Sequence, residues 1–184
     1  DPYNEILVNN SSNEIRSLGI FSNVTYETIQ GSSDKTKIIN FTVTETPTGE
    51  IMAGAGTGTS GTSITFGIKE KNYLGEGIKL NANLTLSDTG IEGLFSTNIR
   101  NYKNSDKDLN TSFENSSVDQ MSKFGYKTTK TGFSIGTSYE QFKDIYFFPS
   151  ITNYYETMKT SSSASSTRKK QEGDYFDSTF DYSF

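Results

Sequence analysis

The sequence predicts a mainly β chain in which a small helix-and-strand module precedes antiparallel strands of a membrane β-barrel. Near the N terminus, apolar residues recur at helical spacing, as in the pair Ile15 and Leu18. Beyond Pro47 and Gly49 this spacing disappears, and apolar residues alternate with polar ones instead. The clearest example is 78–86, where nine residues alternate strictly, which matches a membrane strand of about 9–11 residues.

The composition excludes several classes of function. The 184-residue chain has neither Cys nor His, which excludes disulfides, Cys/His zinc sites and catalysis that requires a histidine base. Its formal net charge of -5 does not suggest nucleic-acid binding. No apolar run approaches the ~18 residues of a membrane helix. We expect no cofactor, no metal and no enzymatic activity.

The first 48 residues predict the order helix, helix, strand, strand. Residues 1–21 have helical character, and Ser11 or Ser12 can cap a second helix that ends at Gly19. Alternating residues then predict one strand around 24–28 and another around 39–43. Such a module is too small for a sizeable core of its own.

The rest of the chain predicts about eight antiparallel strands. Connections near 72–76, 102–105 and 141–144 are short, whereas those near 59–61, 88–90, 116–124 and 158–172 grow into long polar segments. Membrane barrels have short turns on one side of the membrane and long loops on the other. The predicted strands are 50–58, 62–71, 77–87, 91–101, 106–115, 125–140, 145–157 and 173–184.

The first of these strands is a candidate functional element because it consists almost entirely of small residues. A strand of this kind pairs through its backbone but packs little, so its register is weakly specified. Glycines fall on one face, and alanines and threonines fall on the other. The residues concerned are Ile51, Ala53, Gly54, Ala55, Gly56, Thr57 and Gly58.

Two further patterns occur in the sequence. The spacing of Gly56, Gly58 and Gly61 matches the glycine pattern of a dinucleotide-binding site. Such a site needs a helix directly after the glycines, whereas the sequence predicts a strand there. Many aromatic residues lie near predicted strand ends, as interfacial aromatic girdles require. These residues are Phe95, Tyr102, Phe124, Tyr126, Tyr139, Phe142, Tyr146 and Tyr155.

Several segments resemble the BamA family of outer-membrane assembly factors. DPYNEILV at 1–8 and IRSLGIFSNV at 15–24 resemble its last POTRA module without that module's first strand. The family's junction between POTRA and barrel is similar to TETPTGE at 44–50. Its second barrel strand and the turn that follows are similar to FGIKEKNYLGEG at 66–77. The similarity is most specific between 45 and 80. The Asn-Pro pair that family members often carry near the end of the fourth strand is absent from NIRNY at 98–102.

The resemblance implies a partial POTRA module (ααββ) over 1–48, followed over 49–184 by half of a sixteen-stranded outer-membrane barrel. The implied function is assembly of barrel proteins in the cell outer membrane, with the POTRA part in the periplasm. The implied partners are unfolded outer-membrane protein clients, accessory lipoproteins and outer-membrane lipid. Under this hypothesis the small-residue strand is a gate that pairs with client strands, and an edge strand of the POTRA part docks clients or lipoproteins. That edge strand includes Ile38, Ile39, Phe41 and Val43.

Three alternatives remain open at this point. A two-partner secretion translocator shares the POTRA-like segment, and a small stand-alone barrel would explain the aromatic residues at the end of the chain. A secreted adhesin-like sandwich would be soluble without detergent. The sequence begins inside a motif at Asp1-Pro2, so we expect either a mature chain or a fragment. A fragment agrees better with the eight predicted strands, since the barrel of the family has sixteen.

Overall fold

The computed structural model describes residues 3–58 and 61–184. The chain divides into two compact units, Asp1–Gly49 and Glu50–Phe184, which are described separately. The start of the predicted POTRA-like motif at Asp1-Pro2 and part of the predicted connection at 59–61 lie outside the described residues. Whether the units correspond to a POTRA part and half a barrel stays a prediction.

The first unit begins with one helix, α1 (Glu5–Ser17), so the expectation of two helices is wrong for the described residues. The side chain of Asn4 caps it by accepting a hydrogen bond from the Ile6 amide at 2.9 Å. Ser12, predicted as a possible second cap, lies inside the helix and is only 1% exposed. The helix continues past it to Ser17. Gly19 follows the helix with φ at +67°, as expected for a stop.

A hairpin follows, in which β1 (Phe21–Gln30) pairs antiparallel with β2 (Lys37–Glu45). The helix packs on β1, where Val8 and Val24 are buried. Arg16 donates a hydrogen bond to the Val24 carbonyl at 2.7 Å. The described order is therefore helix, strand, strand, and the predicted ααββ order is corrected to αββ. Among the described residues, no helix is long and apolar enough to cross a bilayer.

The second unit is a nine-stranded antiparallel sheet. Its neighbours follow sequence order from β3 to β11, except that β9 pairs only with β8 beside the main path. Within the described residues the sheet does not close on itself, and β3 and β11 are its edges. The strands are β3 (Gly49–Gly58), β4 (Gly61–Tyr73), β5 (Ile78–Ser87), β6 (Gly90–Ile99), β7 (Asp108–Gln120), β8 (Tyr126–Phe142), β9 (Ile145–Phe147), β10 (Ser150–Thr160) and β11 (Gly173–Asp181).

Several predicted boundaries are wrong. The predicted strand 145–157 is two strands, because Pro149 has no amide hydrogen and interrupts the ladder between β9 and β10. The predicted loop at 116–124 is mostly strand, since β7 runs to Gln120 and a short helix, α2 (Met121–Phe124), follows. The connection after Ile99 contains a 3-10 helix (Tyr102–Asn104) and is longer than the turn after Ser87, so the proposed alternation of short and long connections fails there. Between β10 and β11 lies a third helix, α3 (Ser166–Lys169).

The sheet has one apolar and one polar face. Register places Phe95 beside Phe113, and Phe113 beside Phe133, so apolar residues form rows across the strands. These residues are roughly half exposed, and none lies under a second layer within this unit. Members of the apolar face are Phe66, Leu84, Phe95, Phe113, Phe133, Ile151 and Phe180. Members of the polar face are Lys69, Asn81, Asn83, Glu92, Asn98, Asn110, Glu114, Lys130, Ser134 and Thr152.

Several polar side chains on the apolar face are paired across strands. The hydroxyls of Thr97 and Thr111 lie 2.8 Å apart. Asn115 donates to the Thr131 hydroxyl at 2.8 Å, and Ser178 donates to the Asn153 side-chain oxygen at 2.6 Å. An unpaired polar group away from water costs several kcal/mol, and each of these pairs removes that cost.

The predicted aromatic girdle is only partly correct. Tyr126 begins β8 and Phe142 ends it, Tyr146 lies in the short β9, and Phe124 ends the short helix α2 before β8. Phe95 and Tyr155, by contrast, lie in the middle of β6 and β10, where they belong to the apolar rows. Tyr155 was placed near a strand end because the predicted strand stops at 157, whereas β10 runs from Ser150 to Thr160. Phe95 lies near the middle of the predicted strand 91–101 as well as of β6, so no boundary error explains its assignment to the girdle. The described aromatics therefore divide between strand ends and the apolar face.

Candidate gate strand and N-terminal sheet edge

The candidate gate strand Ile51–Gly58 lies within β3, at one edge of the sheet. Among the described residues, β4 is its only partner strand. All ten residues of β3 are exposed, and the Ile51 side chain is 86% exposed. The structure therefore places all seven predicted gate residues together on an edge strand with little packing.

The space around the glycines of this strand would accept a larger residue. A Cβ built on Gly54 or Gly58 would meet no heavy atom within 4 Å, and one on Gly56 would meet only the Ser63 hydroxyl at 3.9 Å. Gly67 on β4 is different, because a Cβ there would lie 2.6 Å from the side-chain oxygen of Asn83. Glycine in a strand interior costs roughly 0.5–1 kcal/mol relative to alanine. The candidate gate strand thus loses stability without a packing reason.

Side-chain contacts between β3 and β4 are concentrated at the start of β3. Glu50 forms an exposed ion pair with Lys71 at 3.8 Å. Met52 lies over Gly67, where an added Cβ would come within 2.8 Å of its terminal methyl carbon. From Gly54 onward the side chains are too small to repeat such contacts. Sequence reasoning missed Met52, because its contact depends on a register that the sequence does not reveal.

The predicted edge of the N-terminal module is β2, and its residues Ile38, Ile39, Phe41 and Val43 are all exposed. Register places Val43 beside Val24 and Phe41 beside Tyr26, whose ring centre is 5.8 Å from that of Phe41. Because α1 packs on β1, a cavity of about 370 Å³ remains beside β2. It is lined by Tyr3, Asn4, Leu7, Val8, Ser11, Lys35, Thr36, Lys37, Ile39 and Phe41.

Residues that could support chemistry do not converge in the described parts of the chain. Over 3–58 and 61–184, no group of three or more acidic residues could hold a metal ion. The stretch after Gly61 is a strand, so the fingerprint formed by Gly56, Gly58 and Gly61 lacks the helix that a dinucleotide site needs. What this edge offers is backbone hydrogen-bonding groups.

Comparison with known proteins adds one finding. The chain is similar in fold to BamA. A crystal structure of BamA from Haemophilus ducreyi lacking POTRA domains 1–3 matches it with a TM-score of 0.72 and 19% sequence identity. The match covers 96% of this chain and 36% of that BamA chain. At this level of identity the likeness concerns the fold alone, and no family model matches the sequence.

Proposed function

We propose that this chain is part of an outer-membrane assembly factor that inserts client barrel proteins by pairing their strands with β3. The observation that carries the proposal is the edge position of β3 together with its glycines, which nothing in the surrounding packing requires. The fold likeness to BamA supports the same conclusion. Under this proposal the chain lies in the outer membrane and its partners are unfolded barrel proteins.

The physical reason lies in the hydrogen bonds of the backbone. A strand that enters hydrocarbon with unpaired amide and carbonyl groups pays several kcal/mol for each group. An edge strand can supply partners for one whole row of these groups by strand addition. Small side chains allow the register to shift while successive client strands enter.

We further propose that the first unit is the C-terminal part of a POTRA module located in the periplasm. The BamA match covers 96% of the chain and therefore extends over residues of both units, which supports this assignment. The exposed strand β2 and the cavity beside it would then dock extended clients or accessory lipoproteins. An extended segment suits such a site, since strand addition supplies backbone bonds and the cavity accepts alternate side chains.

A proline scan of β3 tests the gate hypothesis. In an antiparallel ladder, the amide and carbonyl of one residue point to one neighbouring strand, and those of the next residue point to the other side. Proline at Ala53 or Ala55 therefore removes a donor from one edge of β3, and proline at Gly54 or Gly56 removes a donor from the opposite edge. Client insertion is measured in proteoliposomes, and hydrogen exchange in β4 reports whether β3 and β4 still pair.

We expect one of these two sets to block insertion while β4 keeps its protection. The matched control is Ala55→Ser, which keeps both the amide hydrogen and a small side chain. If all four proline variants insert clients at the wild-type rate, β3 is only a wall of the sheet and the proposal is wrong.

A further inference from the structure

The connections at the end of the sheet opposite the start of β3 form a basic pocket. The β10–β11 connection folds onto the β7–β8 connection, and the Ser161 amide donates a hydrogen bond to the Gly125 carbonyl at 2.8 Å. Gly125 and Ala164 are buried at this contact. Gly125 has φ at +71°, and an added Cβ would lie 2.6 Å from the Ala164 amide nitrogen, so only glycine fits there.

The pocket beside this contact has a volume of about 480 Å³ and no carboxylate in its lining. Two cationic side chains, Lys123 and Arg168, contribute to it. Phe124 and Tyr126 form apolar walls, and the guanidinium carbon of Arg168 lies 4.5 Å from the centre of the Tyr126 ring. The remaining lining residues are Ser163 and Ser165.

Both cations lack an acidic partner. Over the described residues, Lys123 forms no side-chain hydrogen bond or ion pair. Arg168 has only a long hydrogen bond of 3.4 Å to the Gln171 side chain and no ion pair with any described residue. The Ser165 hydroxyl oxygen accepts from the Arg168 amide at 3.3 Å, which leaves its own hydrogen free to donate.

The surrounding segments carry a strong local charge. Residues 121–127 and 159–172 contain six Lys and Arg residues and one acidic residue, although the whole chain has a net charge of -5. One of the six, Lys127, forms an ion pair with Asp119 at 3.3 Å, which leaves five cations in these segments without an ion pair among the described residues. Opposite charges within about a Debye length attract, so these segments concentrate anions near the pocket. The pocket and the charge around it therefore favour the same kind of ligand.

We propose that this pocket binds a phosphate monoester. Such a group carries a charge of about -1.5 to -2, which matches two cations, and its oxygens accept from ammonium, guanidinium and hydroxyl donors together. The rings of Phe124 and Tyr126 contact the group that bears the phosphate. That group is a lipid headgroup or a soluble sugar, and the binding chemistry is the same for both. The site is distinct from β3 and does not depend on strand templating.

Binding is tested with the membrane protein in a maltoside detergent free of phosphate. Inorganic phosphate and glucose 6-phosphate are titrated by calorimetry, with glucose as the uncharged control. In a second arm, micelles that contain phosphatidic acid compete with the soluble probe, and phosphatidylcholine is the control lipid. We expect both soluble phosphates to bind and glucose not to bind, with affinity falling as salt concentration rises. Competition by phosphatidic acid identifies a lipid as the source, and its absence identifies a soluble sugar phosphate.

Two variants and one control complete the test. Lys123→Gln and Arg168→Gln should each weaken phosphate binding by about tenfold, or about 1.4 kcal/mol. Since Lys123 has no partner in the described parts of the chain, its loss cannot act by unfolding the connection. Lys143→Gln, at an exposed lysine near the other end of the sheet, should leave binding unchanged. Absence of binding in every arm, or equal weakening by Lys143→Gln, would overturn the proposal.

Discussion

The ammonium group of Lys130 lies 3.6 Å from the centre of the Tyr154 ring, on the polar face of the sheet. The same ring lies over Gly132, where an added Cβ would come within 2.5 Å of a ring carbon. Gly132 and Tyr154 are direct cross-strand partners on β8 and β10. The missing side chain of one strand thus makes room for the ring of the other, and a cation covers that ring.

This arrangement predicts that Gly132→Ala destabilises the sheet. The new methyl group displaces the Tyr154 ring and disturbs its contact with Lys130, at a cost of about 1–3 kcal/mol for overpacking. Unfolding by urea in detergent micelles measures the change. The matched control is Gly93→Ala on β6, where an added Cβ meets only the Asn115 carbonyl oxygen at 3.9 Å.

A double variant separates the clash from other effects of alanine. In a Tyr154→Ala background the clash no longer exists, so adding Gly132→Ala should cost little. The interaction free energy of the cycle should then lie between about 0.5 and 3 kcal/mol. Strict additivity of the two substitutions would show that the ring and the glycine are not coupled.

The contacts of β3 predict a gradient of hydrogen-exchange protection along this strand. Amides near Glu50 and Met52 should exchange more slowly than those near Gly58, because side-chain contacts to β4 exist only at the start. Gly56→Val should raise protection in the second half by about fivefold, since the strand propensity scale spans ~1 kcal/mol. It should also slow client insertion, because a stiffer strand opens less readily.

Gly93→Val on β6 is the control for this substitution, since its added Cβ also meets no close neighbour. It should leave the protection of β3 and the insertion rate unchanged. If Gly56→Val changes neither quantity, the small residues are not what keeps this strand loose.

The two faces of β7 predict opposite effects of lysine at adjacent positions. Phe113 lies on the apolar face and Ser112 on the polar face, beside Ser96 and Ser134. Phe113→Lys should destabilise the protein in lipid vesicles by about 2–4 kcal/mol, the cost of a cation near the bilayer midplane. Ser112→Lys should cost much less, because under the proposed membrane location its side chain faces away from lipid. Equal effects in urea unfolding from vesicles would argue against a membrane-spanning sheet.

The buried hydroxyl of Ser12 predicts a stabilising substitution. Its oxygen has no hydrogen-bond partner among the described residues, and a buried unpaired hydroxyl costs about 1–3 kcal/mol. Ser12→Ala should therefore raise the hydrogen-exchange protection of α1 by about fivefold or more. The control is Ser11→Ala in the same helix, which changes helix propensity by the same amount. Because the Ser11 side chain is exposed, this substitution should have a smaller effect. A loss of protection in Ser12→Ala would mean that its hydroxyl does have a partner.

The sequence predicted the order of the strands in the sheet better than the exact residues at which each strand begins and ends. Strand alternation identified β3 to β8 and β11 because side chains of a strand alternate between two faces whatever the strand pairs with. The prediction of a second helix in the first unit was wrong, since serines such as Ser11 and Ser12 can either cap a helix or lie inside one. Only packing against β1 decides between these, and it buries Ser12.

The candidate site shows the same division. The small residues of 51–58 and their alternation were visible in the sequence, but their edge position and the open space beside Gly54 and Gly58 were not. The basic pocket was missed for a similar reason. Residues 121–126 and 161–168 are far apart in the chain, and they meet only because β7, β8, β10 and β11 end on the same side of the sheet.

The sequence alone determined that this chain is mainly β, with one face of several strands apolar and a first strand of small residues. These properties are local, because they depend on residue type and on a period of two. Tertiary structure decided the register, the glycines that need to be glycine, and the break at Pro149. Each of these depends on which residue lies opposite in a neighbouring strand. That choice is made by the packing of the whole sheet, as where Gly132 lies opposite Tyr154.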